Sequence, residues 1–312
     1  MNTVKKEIPL FTACDDNYIP FLAVTLQSIT DNASREYDYV FRVLHTGVNE
    51  ENIKKIMKYN TENFRVEFVD IRNTLNDVMQ RLHTEIYYTQ TTYYRLFIAN
   101  LYPQYDKILY IDCDVVVRGD ISQLYNIDIA DNLVGAATDE FVINEPYVHQ
   151  YVNEVLGFKN LKDYFNAGVL LINLDQFRKQ KFEEQFSDLL NKYKFIVQDQ
   201  DYLNIICRNK VKYIDSSWDK MPCNQDARLE DINLIHFNLI WKPWHTEVPY
   251  GEEFWKYADK TEFKDEIRNI RANYTKEQYQ KDVDHYNFFM GKIHEEYYNP
   301  NNYFHLFLEK KG

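Results

Sequence analysis

Apolar and polar positions alternate in blocks along most of the chain, and these blocks predict strands and helices in turn. Apolar runs at Ile8 to Ala13, Tyr39 to Leu44 and Arg65 to Val69 are typical of buried strands. Between these runs, Pro20 opens a segment with apolar residues at helical spacing, and a charged helix is expected from about Asn49. Strands that alternate with helices predict an α/β fold in which helices flank a mostly parallel, Rossmann-like central sheet.

The same alternation continues through the middle of the chain. A helix from Thr91 to Leu101, ended by Pro103, is expected to lead into a buried strand from Lys107 to Ile111. Further strands are expected at Val134 to Thr138, Val169 to Leu174 and Asn233 to Phe237. Helices are expected from Asp175, as the N-cap, to about Tyr193, and from Gln200 to Cys207.

The pattern changes after Gly251 to a charged, Tyr-rich and strand-poor sequence with helical spacing. We therefore expect an α/β domain of residues 1–250 and a helical appendage of residues 251–312. The many aromatic residues of the appendage would not remain in water, so it should pack on the domain or on a second subunit.

Charge and composition limit the partners of the chain. A net charge of −12 argues against nucleic acid or an anionic membrane as the main partner, so an anionic substrate would need a local positive group. The N-terminus lacks the apolar segment of a signal peptide, and no stretch reaches the about 18 apolar residues of a membrane-spanning helix. The cytosol is the expected location, with peripheral contact at the inner face of the cell membrane left open. The cysteines form no C-x-x-C pair and are expected to be reduced, buried thiols: Cys14, Cys113, Cys207 and Cys223.

Asp112 and Asp114 form a D-x-D pair that directly follows the strand ending at Ile111. Ligands of open α/β sheets bind where strands end, and two carboxylates at this spacing can approach one hard cation such as Mg²⁺ or Mn²⁺. An acidic pair alone more often caps a turn. The surrounding sequence decides between the two interpretations.

Five further segments accompany the D-x-D pair. They are Asp15-Asp16-Asn17, Thr91-Thr92-Tyr93-Tyr94-Arg95, Phe165-Asn166-Ala167-Gly168-Val169, Asp199-Gln200-Asp201, and His236 with Lys242-Pro243-Trp244. Together, and in this order, they resemble glycosyltransferase family 8, the retaining enzymes that transfer galactose or glucose from a UDP-sugar and include bacterial lipopolysaccharide glycosyltransferases. The resemblance runs from about Ile8 to His245 and implies a GT-A fold. It makes residues 1–250 the nucleotide-sugar-binding catalytic domain, and the appendage of residues 251–312 is then expected to border the acceptor site.

The resemblance implies a metal site and a donor site. A lone histidine at the end of an apolar strand is more often a core residue than a metal ligand. The resemblance nevertheless makes His236 the third metal ligand beside Asp112 and Asp114. Its imidazole favours Mn²⁺ over Mg²⁺. Lys242 would neutralise charge on the departing UDP. The remaining donor-site residues implied by the family are Asp15, Asn17, Arg95, Cys113 and Asn238. For Asp15 and Asn17 the alternative is a turn with a helix N-cap, and for Arg95 it is a structural ion pair.

The sugar pocket implied by the family contains Asp139, Asn166, Asp199, Gln200 and Asp201. An amide is a poor nucleophile, so we expect attack by the acceptor hydroxyl on the face that UDP leaves, assisted by Lys242. A double displacement through Gln200, or less directly Asp201, is the second mechanism. One departure concerns Leu239, which occupies a position where relatives commonly have glycine close to the diphosphate.

Two other functions remain open from the sequence. A strand followed by Asp-x-Asp-Val also occurs in haloacid-dehalogenase-like, Mg²⁺-dependent phosphatases, although their motif normally lies near the N-terminus. A non-catalytic nucleotide-sugar-binding module is the other alternative, although it would have less need of Asp112, Asp114, His236 and Lys242 together. The partners expected are UDP-glucose or UDP-galactose and a glycan or glycolipid acceptor. No sequence motif identifies which acceptor it is.

Overall fold

The structure is a computed structural model that describes residues 5–72, 74, 82, 90–224 and 226–309. Strands in these residues are β1 Lys6–Ala13, β2 Tyr37–His45, β3 Phe64–Asp70, β4 Lys107–Ile111, β5 Val115–Val117, β6 Val134–Thr138, β7 Phe165–Asn173, β8 Val211–Tyr213 and β9 Leu234–His236. Seven of them form one sheet in the order β3-β2-β1-β4-β7-β6-β8, and β5 pairs with β9 in a small second sheet.

The large sheet is mostly parallel, as the alternation of strands and helices predicts. β1 runs parallel to β2 and β4, β2 runs parallel to β3, and β6 runs parallel to β8. β7 is the exception, because it runs antiparallel to both β4 and β6. This reversal places the start of β7 beside the end of β4, with Ile111 opposite Val169.

Helices flank the sheet on both faces. In the described part of the first 250 residues, the α-helices are α1 Ile19–Asn32, α2 Glu50–Ile56, α3 Ile98–Leu101, α4 Ile121–Tyr125, α5 Glu140–Asn144, α6 Pro146–Gln150, α7 Leu174–Lys179, α8 Phe182–Lys192 and α9 Gln198–Ile206. Single turns of 3₁₀-helix lie at Asp16–Tyr18, Met57–Tyr59, Leu161–Asp163, Ser216–Trp218 and Leu229–Asp231, and a π-turn lies at Tyr151–Val155. Two apolar cores result, one including Leu10 and Val24 and the other including Phe11 and Phe186.

Two of the predicted helices are different in the structure. The segment expected as a helix from Thr91 is a 3₁₀-helix, Gln90–Phe97, followed by the short α3, since consecutive Thr and Tyr residues favour the α-helix weakly. The long helix expected from Asp175 is two helices, α7 and α8, separated at Lys181, whose φ of 55° is left-handed. Asn173, not Asp175, caps α7.

Residues 251–309 form three α-helices, α10 Gly251–Ala258, α11 Lys264–Asn273 and α12 Lys276–Tyr298, and a π-turn at Phe304–Leu308. α12 begins with a capping box between Thr275 and Gln278. Phe254 and Ile267 are buried in one core and Phe289 in the other, so these helices extend both cores. None of the helices in the described residues is both long enough and apolar enough to cross a bilayer.

Candidate functional site

Three potential metal ligands converge where the two sheets meet. Asp112 directly follows β4, and Asp114 directly precedes β5, whose Val115 is paired with His236 of β9. Nε2 of His236 lies 3.4 Å from Oδ1 of Asp114 and 3.8 Å from Oδ2 of Asp112. One ligand atom from each of the three residues lies within 4.8 Å of the others, so a single cation could contact all three.

The orientation of His236 is set by Asp219, a residue that the sequence analysis does not single out. Nδ1 of His236 lies 2.9 Å from Oδ1 of Asp219, whose side chain is fully buried. With its proton on Nδ1, the ring presents the Nε2 lone pair to Asp112 and Asp114, the arrangement typical of metal-bound histidines. Burial by itself would lower the pKa of His236, but Asp219 and Asp114 outweigh it and raise the pKa to about 10. The site therefore attracts positive charge, which a divalent cation would supply in place of the proton.

Asp114 is held between Lys242 and the candidate metal position. Nζ of Lys242 lies 2.6 Å from Oδ2 of Asp114 and donates to the carbonyl of Phe237, also at 2.6 Å. Burial would raise the pKa of Asp114, but Lys242 and His236 prevail and lower it well below the usual range. Oδ1 of Asp114 is buried without a hydrogen-bond partner. An ionised, unpaired oxygen facing an imidazole nitrogen fits a metal ligand, because a bare buried charge is costly.

Gly168 makes room for this cluster. A Cβ atom at Gly168 would lie 2.1 Å from Cε1 of His236 and 2.9 Å from Oδ2 of Asp112. The backbone of β7 therefore passes so close to the ligands that no larger residue fits. The backbone amide of Asp112 donates to the carbonyl of Gly168 at 2.8 Å, which fixes this approach.

Arg95 connects the D-x-D pair to Asp199 in the first turn of α9. Its buried guanidinium lies 2.9 Å from Oδ1 of Asp112 and 3.1 Å from Oδ2 of Asp199, and 4.3 Å from the ring centre of Tyr110. The hydroxyl of Tyr110 also donates to Oδ1 of Asp112, at 3.0 Å. Two carboxylates thus balance the buried cation, and Asp112 is oriented from the side opposite His236. The sequence suggested two interpretations of Arg95, a structural ion pair and a position close to the D-x-D pair. In the structure Arg95 forms ion pairs and also lies beside the D-x-D pair.

A hydrogen-bond network joins three residues of the predicted sugar pocket. Oδ2 of Asp139 accepts from Asn166 at 3.1 Å and from Gln200 at 2.9 Å. Oε1 of Gln200 accepts from the backbone amide of Ala167, and Oδ1 of Asn166 accepts from the backbone amide of Gly168. Burial raises the pKa of Asp139 and raises that of Asp199 to about 6. The network holds the Gln200 amide in one orientation at the cavity wall.

Asp201 and Asn17 lie outside the cavity wall, unlike the other predicted site residues. Asp201 is fully buried and accepts hydrogen bonds from the hydroxyls of Tyr151 and Tyr164, at 2.6 and 2.7 Å. Asn17 is exposed, and its backbone amide donates to Oδ1 of Asp15. Asp15 thus caps a 3₁₀ turn, which is the alternative that its sequence context leaves open, while its side chain still reaches the wall.

The cavity itself has a volume of about 360 Å³ and lies over the D-x-D pair. The predicted residues that line it are Asp15, Arg95, Asp112, Cys113, Asp114, Asp139, Asn166, Asp199, Gln200, His236, Asn238 and Lys242. Apolar residues also line the cavity: Phe141 and Val142 from α5, Val148 from α6, and Phe289 and Ile293 from α12. The polar residues can thus bind a polar ligand while the apolar ones exclude water from it.

Leu239 takes the backbone conformation that glycine adopts most readily. Its φ is 47°, in the left-handed region, and its side chain lies at the cavity wall. Leucine at this position therefore holds a strained backbone conformation that glycine would adopt without strain. The turn from His236 to Lys242 is anchored at its far end by Trp244, whose ring stacks on Phe21 of α1 at 3.8 Å.

Comparison with known proteins decides the family. The family model described as "Glycosyl transferase family 8" matches residues 9–247, more than half of the chain. The chain belongs to glycosyltransferase family 8. This membership confirms the family and the fold expected from the motifs, and the haloacid-dehalogenase-like alternative is wrong.

Curated relatives of this family 8 glycosyltransferase come from several bacteria. A "Putative glycosyltransferase" of Haemophilus influenzae is 31% identical over 225 residues, which cover 71% of this chain and 65% of the relative. "General stress protein A" of Bacillus subtilis is 28% identical, covering 83% of this chain and 96% of the relative. A "Lipopolysaccharide 1,2-glucosyltransferase" of Escherichia coli is 28% identical, covering 78% of this chain and 75% of the relative. The chain thus spans slightly less than two thirds of the Haemophilus protein and nearly all of the Bacillus protein.

Solved structures of glycosyltransferases share the fold. The galactosyltransferase LgtC in complex with donor and acceptor sugar analogues is 28% identical, with a TM-score of 0.66 and coverage of 82% of this chain and 96% of LgtC. The bifunctional glycosyltransferase WbbM, at 24% identity, has a TM-score of 0.75 over 88% of this chain and 53% of WbbM. The likeness to WbbM extends the shared fold beyond the segment matched by the family model.

Proposed function

We propose that this chain transfers galactose or glucose from a UDP-sugar to a hydroxyl of a glycan or glycolipid acceptor, with retention of the α configuration at the transferred sugar. The observation that carries the proposal is the convergence of Asp112, Asp114 and His236, with an unpaired buried oxygen, beside Lys242 at a cavity wall. The relatives support hexose as the transferred group, because they include a lipopolysaccharide glucosyltransferase and a galactosyltransferase.

The three ligands would hold Mn²⁺, which an oxygen and nitrogen set suits better than Mg²⁺. When bound, the ion would supply positive charge to the diphosphate of the donor. Lys242 already lies 2.6 Å from Asp114, so its ammonium group adds a second positive charge at the same place. Asp15, Cys113, Asn238 and Arg95 line the same cavity and are assigned to the nucleotide half of the donor.

The hexose is assigned to the wall formed by Asp139, Asn166, Asp199 and Gln200. Both polar atoms of the Gln200 amide are engaged, by Ala167 and by Asp139, and an amide is a poor nucleophile. Both carboxylate oxygens of Asp201 accept hydrogen bonds from tyrosine hydroxyls, and the residue lies behind the wall. These contacts support attack by the acceptor on the face that UDP leaves over a double displacement. Asp201 then positions Tyr151 and Tyr164, which line the cavity.

Calorimetry tests the donor site without an acceptor. UDP should bind at least about tenfold more weakly after chelation of Mn²⁺ or in Asp114→Ala, since each case removes a charged contact to the diphosphate. Equal affinity with and without the metal would refute the metal assignment. Hydrolysis of UDP-glucose, UDP-galactose and UDP-N-acetylglucosamine, measured as UDP release, would then identify the donor. A protein that binds UDP but hydrolyses none of the three would instead be a non-catalytic binding module.

The cytosolic location and contact with the inner membrane face remain predictions of the sequence. They would be tested by fractionating cells and following the protein with an antibody.

A further inference from the structure

A second cavity lies beside the donor cavity, between α11 and α12. Its volume is about 730 Å³, within the range of small-ligand pockets, and its walls are formed by two helices of the C-terminal appendage. The residues that line it are His245, Glu266, Asn269, Ile270, Asn273, Tyr274, Gln278, Lys281, Asp282 and His285. Most of these side chains are exposed, so this second cavity is a groove open to solvent.

Three residues line both the donor cavity and the groove: His245, Asp282 and His285. His245 follows Lys242 by three residues, and its backbone amide donates to the carbonyl of Lys242 at 2.9 Å. The groove therefore meets the donor cavity on the Lys242 side, where the bond to UDP would break. A molecule lying in the groove could extend one end to that position.

Contacts between side chains connect the residues at the junction of the two cavities. The ring of His245 stacks on Tyr274 at 4.3 Å with an interplanar angle of 7°. Nδ1 of His245 lies 3.3 Å from Oδ2 of Asp282, which also accepts from the hydroxyl of Tyr274. Tyr274 lies in the turn between α11 and α12, so this triad fixes both helices to the segment that carries Lys242.

The chemistry of the groove suits sugar hydroxyls. Asn269, Asn273 and Gln278 offer amide donors and acceptors, and Glu266 and Lys281 add one charge of each sign. An anionic ligand would be better served by several cations, and a lipid chain by an apolar surface. Among the described residues, Ile270 is the one aliphatic residue in the wall of the groove.

We propose that this groove binds the sugars of the acceptor that lie beyond the one receiving the hexose, so the acceptor is an oligosaccharide rather than a single sugar. The proposal rests on the function proposed above and assigns the appendage a specificity role in it. Asn269, on α11, is the best position to test, because it lines the groove but not the donor cavity. A tryptophan at this position would fill the groove without touching the donor site.

The experiment measures UDP release with and without defined glycans. The probes are the methyl glycosides of glucose, galactose and N-acetylglucosamine and the di- and trisaccharides built from the same sugars. In the wild-type protein, at least one trisaccharide should accelerate UDP release with a KM about tenfold below that of its methyl glycoside. Asn269→Trp should lose this advantage and keep the rate of acceptor-free hydrolysis. Ala272→Trp, on the same helix but outside the groove lining, should keep both.

The outcomes separate the two proposals. If Asn269→Trp keeps the preference for longer glycans, or if no glycan in the set accelerates UDP release by the wild-type protein, the groove is not an oligosaccharide site. Donor hydrolysis would still support the proposed function in both cases. If the wild-type protein hydrolyses no UDP-sugar at all, the proposed function itself fails.

Discussion

Asp219 offers a sharp test of the metal site, because it contacts His236 but contributes no ligand atom to the cluster. Its Oδ1 lies 2.9 Å from Nδ1 of His236, and both side chains are almost completely buried. In Asp219→Ala the imidazole would lose the partner that fixes its orientation and its tautomer. Without this contact the proton would no longer be fixed on Nδ1. The lone pair of Nε2 would then not always be available to bind the cation.

The expected size of the effect follows from the role of such partners in other metal sites. Loss of a residue that orients a metal-bound histidine typically lowers metal affinity by about 10- to 100-fold, or about 1.4 to 2.7 kcal/mol. Asp219→Asn should fall near the lower end, because its amide oxygen can still accept from Nδ1 while the charge is lost. Loss of a direct ligand in Asp114→Ala should exceed both.

Isothermal titration of the UDP-loaded protein with Mn²⁺ measures the effect directly. Asp215→Ala is the matched control, since Asp215 is an exposed carboxylate in the same segment that caps a 3₁₀ turn and lies outside the cavity wall. Circular dichroism would establish that all variants are folded. Unchanged Mn²⁺ affinity in a folded Asp219→Ala protein would refute the assignment of His236 as a ligand held by Asp219.

Three other substitutions test separate parts of the account. Lys242→Ala should lower turnover by about 10²- to 10³-fold with a smaller change in donor KM, since charge on the leaving diphosphate grows in the transition state; an unchanged kcat with a raised KM would limit Lys242 to binding. Leu239→Gly should raise the free energy of unfolding by about 1 kcal/mol in urea titrations, because glycine adopts the left-handed conformation without strain, and a destabilised variant would contradict this. Burial raises the pKa of Glu183 to about 7, above its value in the unfolded chain, so the folded protein loses stability as the pH rises through this interval. Glu183→Gln should therefore melt about 2 °C higher than the wild-type protein at pH 8 and no higher at pH 4.5, and equal shifts at both pH values would show that the charge of Glu183 is not the cause.

Local pattern was sufficient to predict the strand that ends before the D-x-D pair and the general architecture, but not the short β5 that follows the pair. The apolar run ending at Ile111 identifies β4, and Asp112 and Asp114 follow it without any need for tertiary information. Periodicity could not predict that β7 runs antiparallel to β4, since pairing direction depends on how the chain returns to the sheet. That reversal brings Gly168 against His236, so the geometry of the site depends on a feature that the pattern leaves undetermined.

The residues around the ligands were harder to predict than the ligands. His236 and Lys242 were recognised through the family motif, whereas Asp219 lies 17 residues before His236 with no spacing that marks it. Its contact arises because the backbone at Lys220 bridges to β9, a pairing between distant segments. The left-handed conformation at Leu239 could not be predicted either, because leucine has no local preference for it. The absence of the expected glycine did single out the position.

The first-formed anomer of the hexose released from the donor tests the central claim most directly. Proton NMR spectra recorded within the first minutes of acceptor-free hydrolysis, with Mn²⁺ and an α-linked UDP-hexose, distinguish α- from β-hexose before mutarotation mixes them. The account predicts that α-hexose appears first and that Asp114→Ala releases hexose far more slowly. β-Hexose as the first product would contradict retention and attack on the face that UDP leaves.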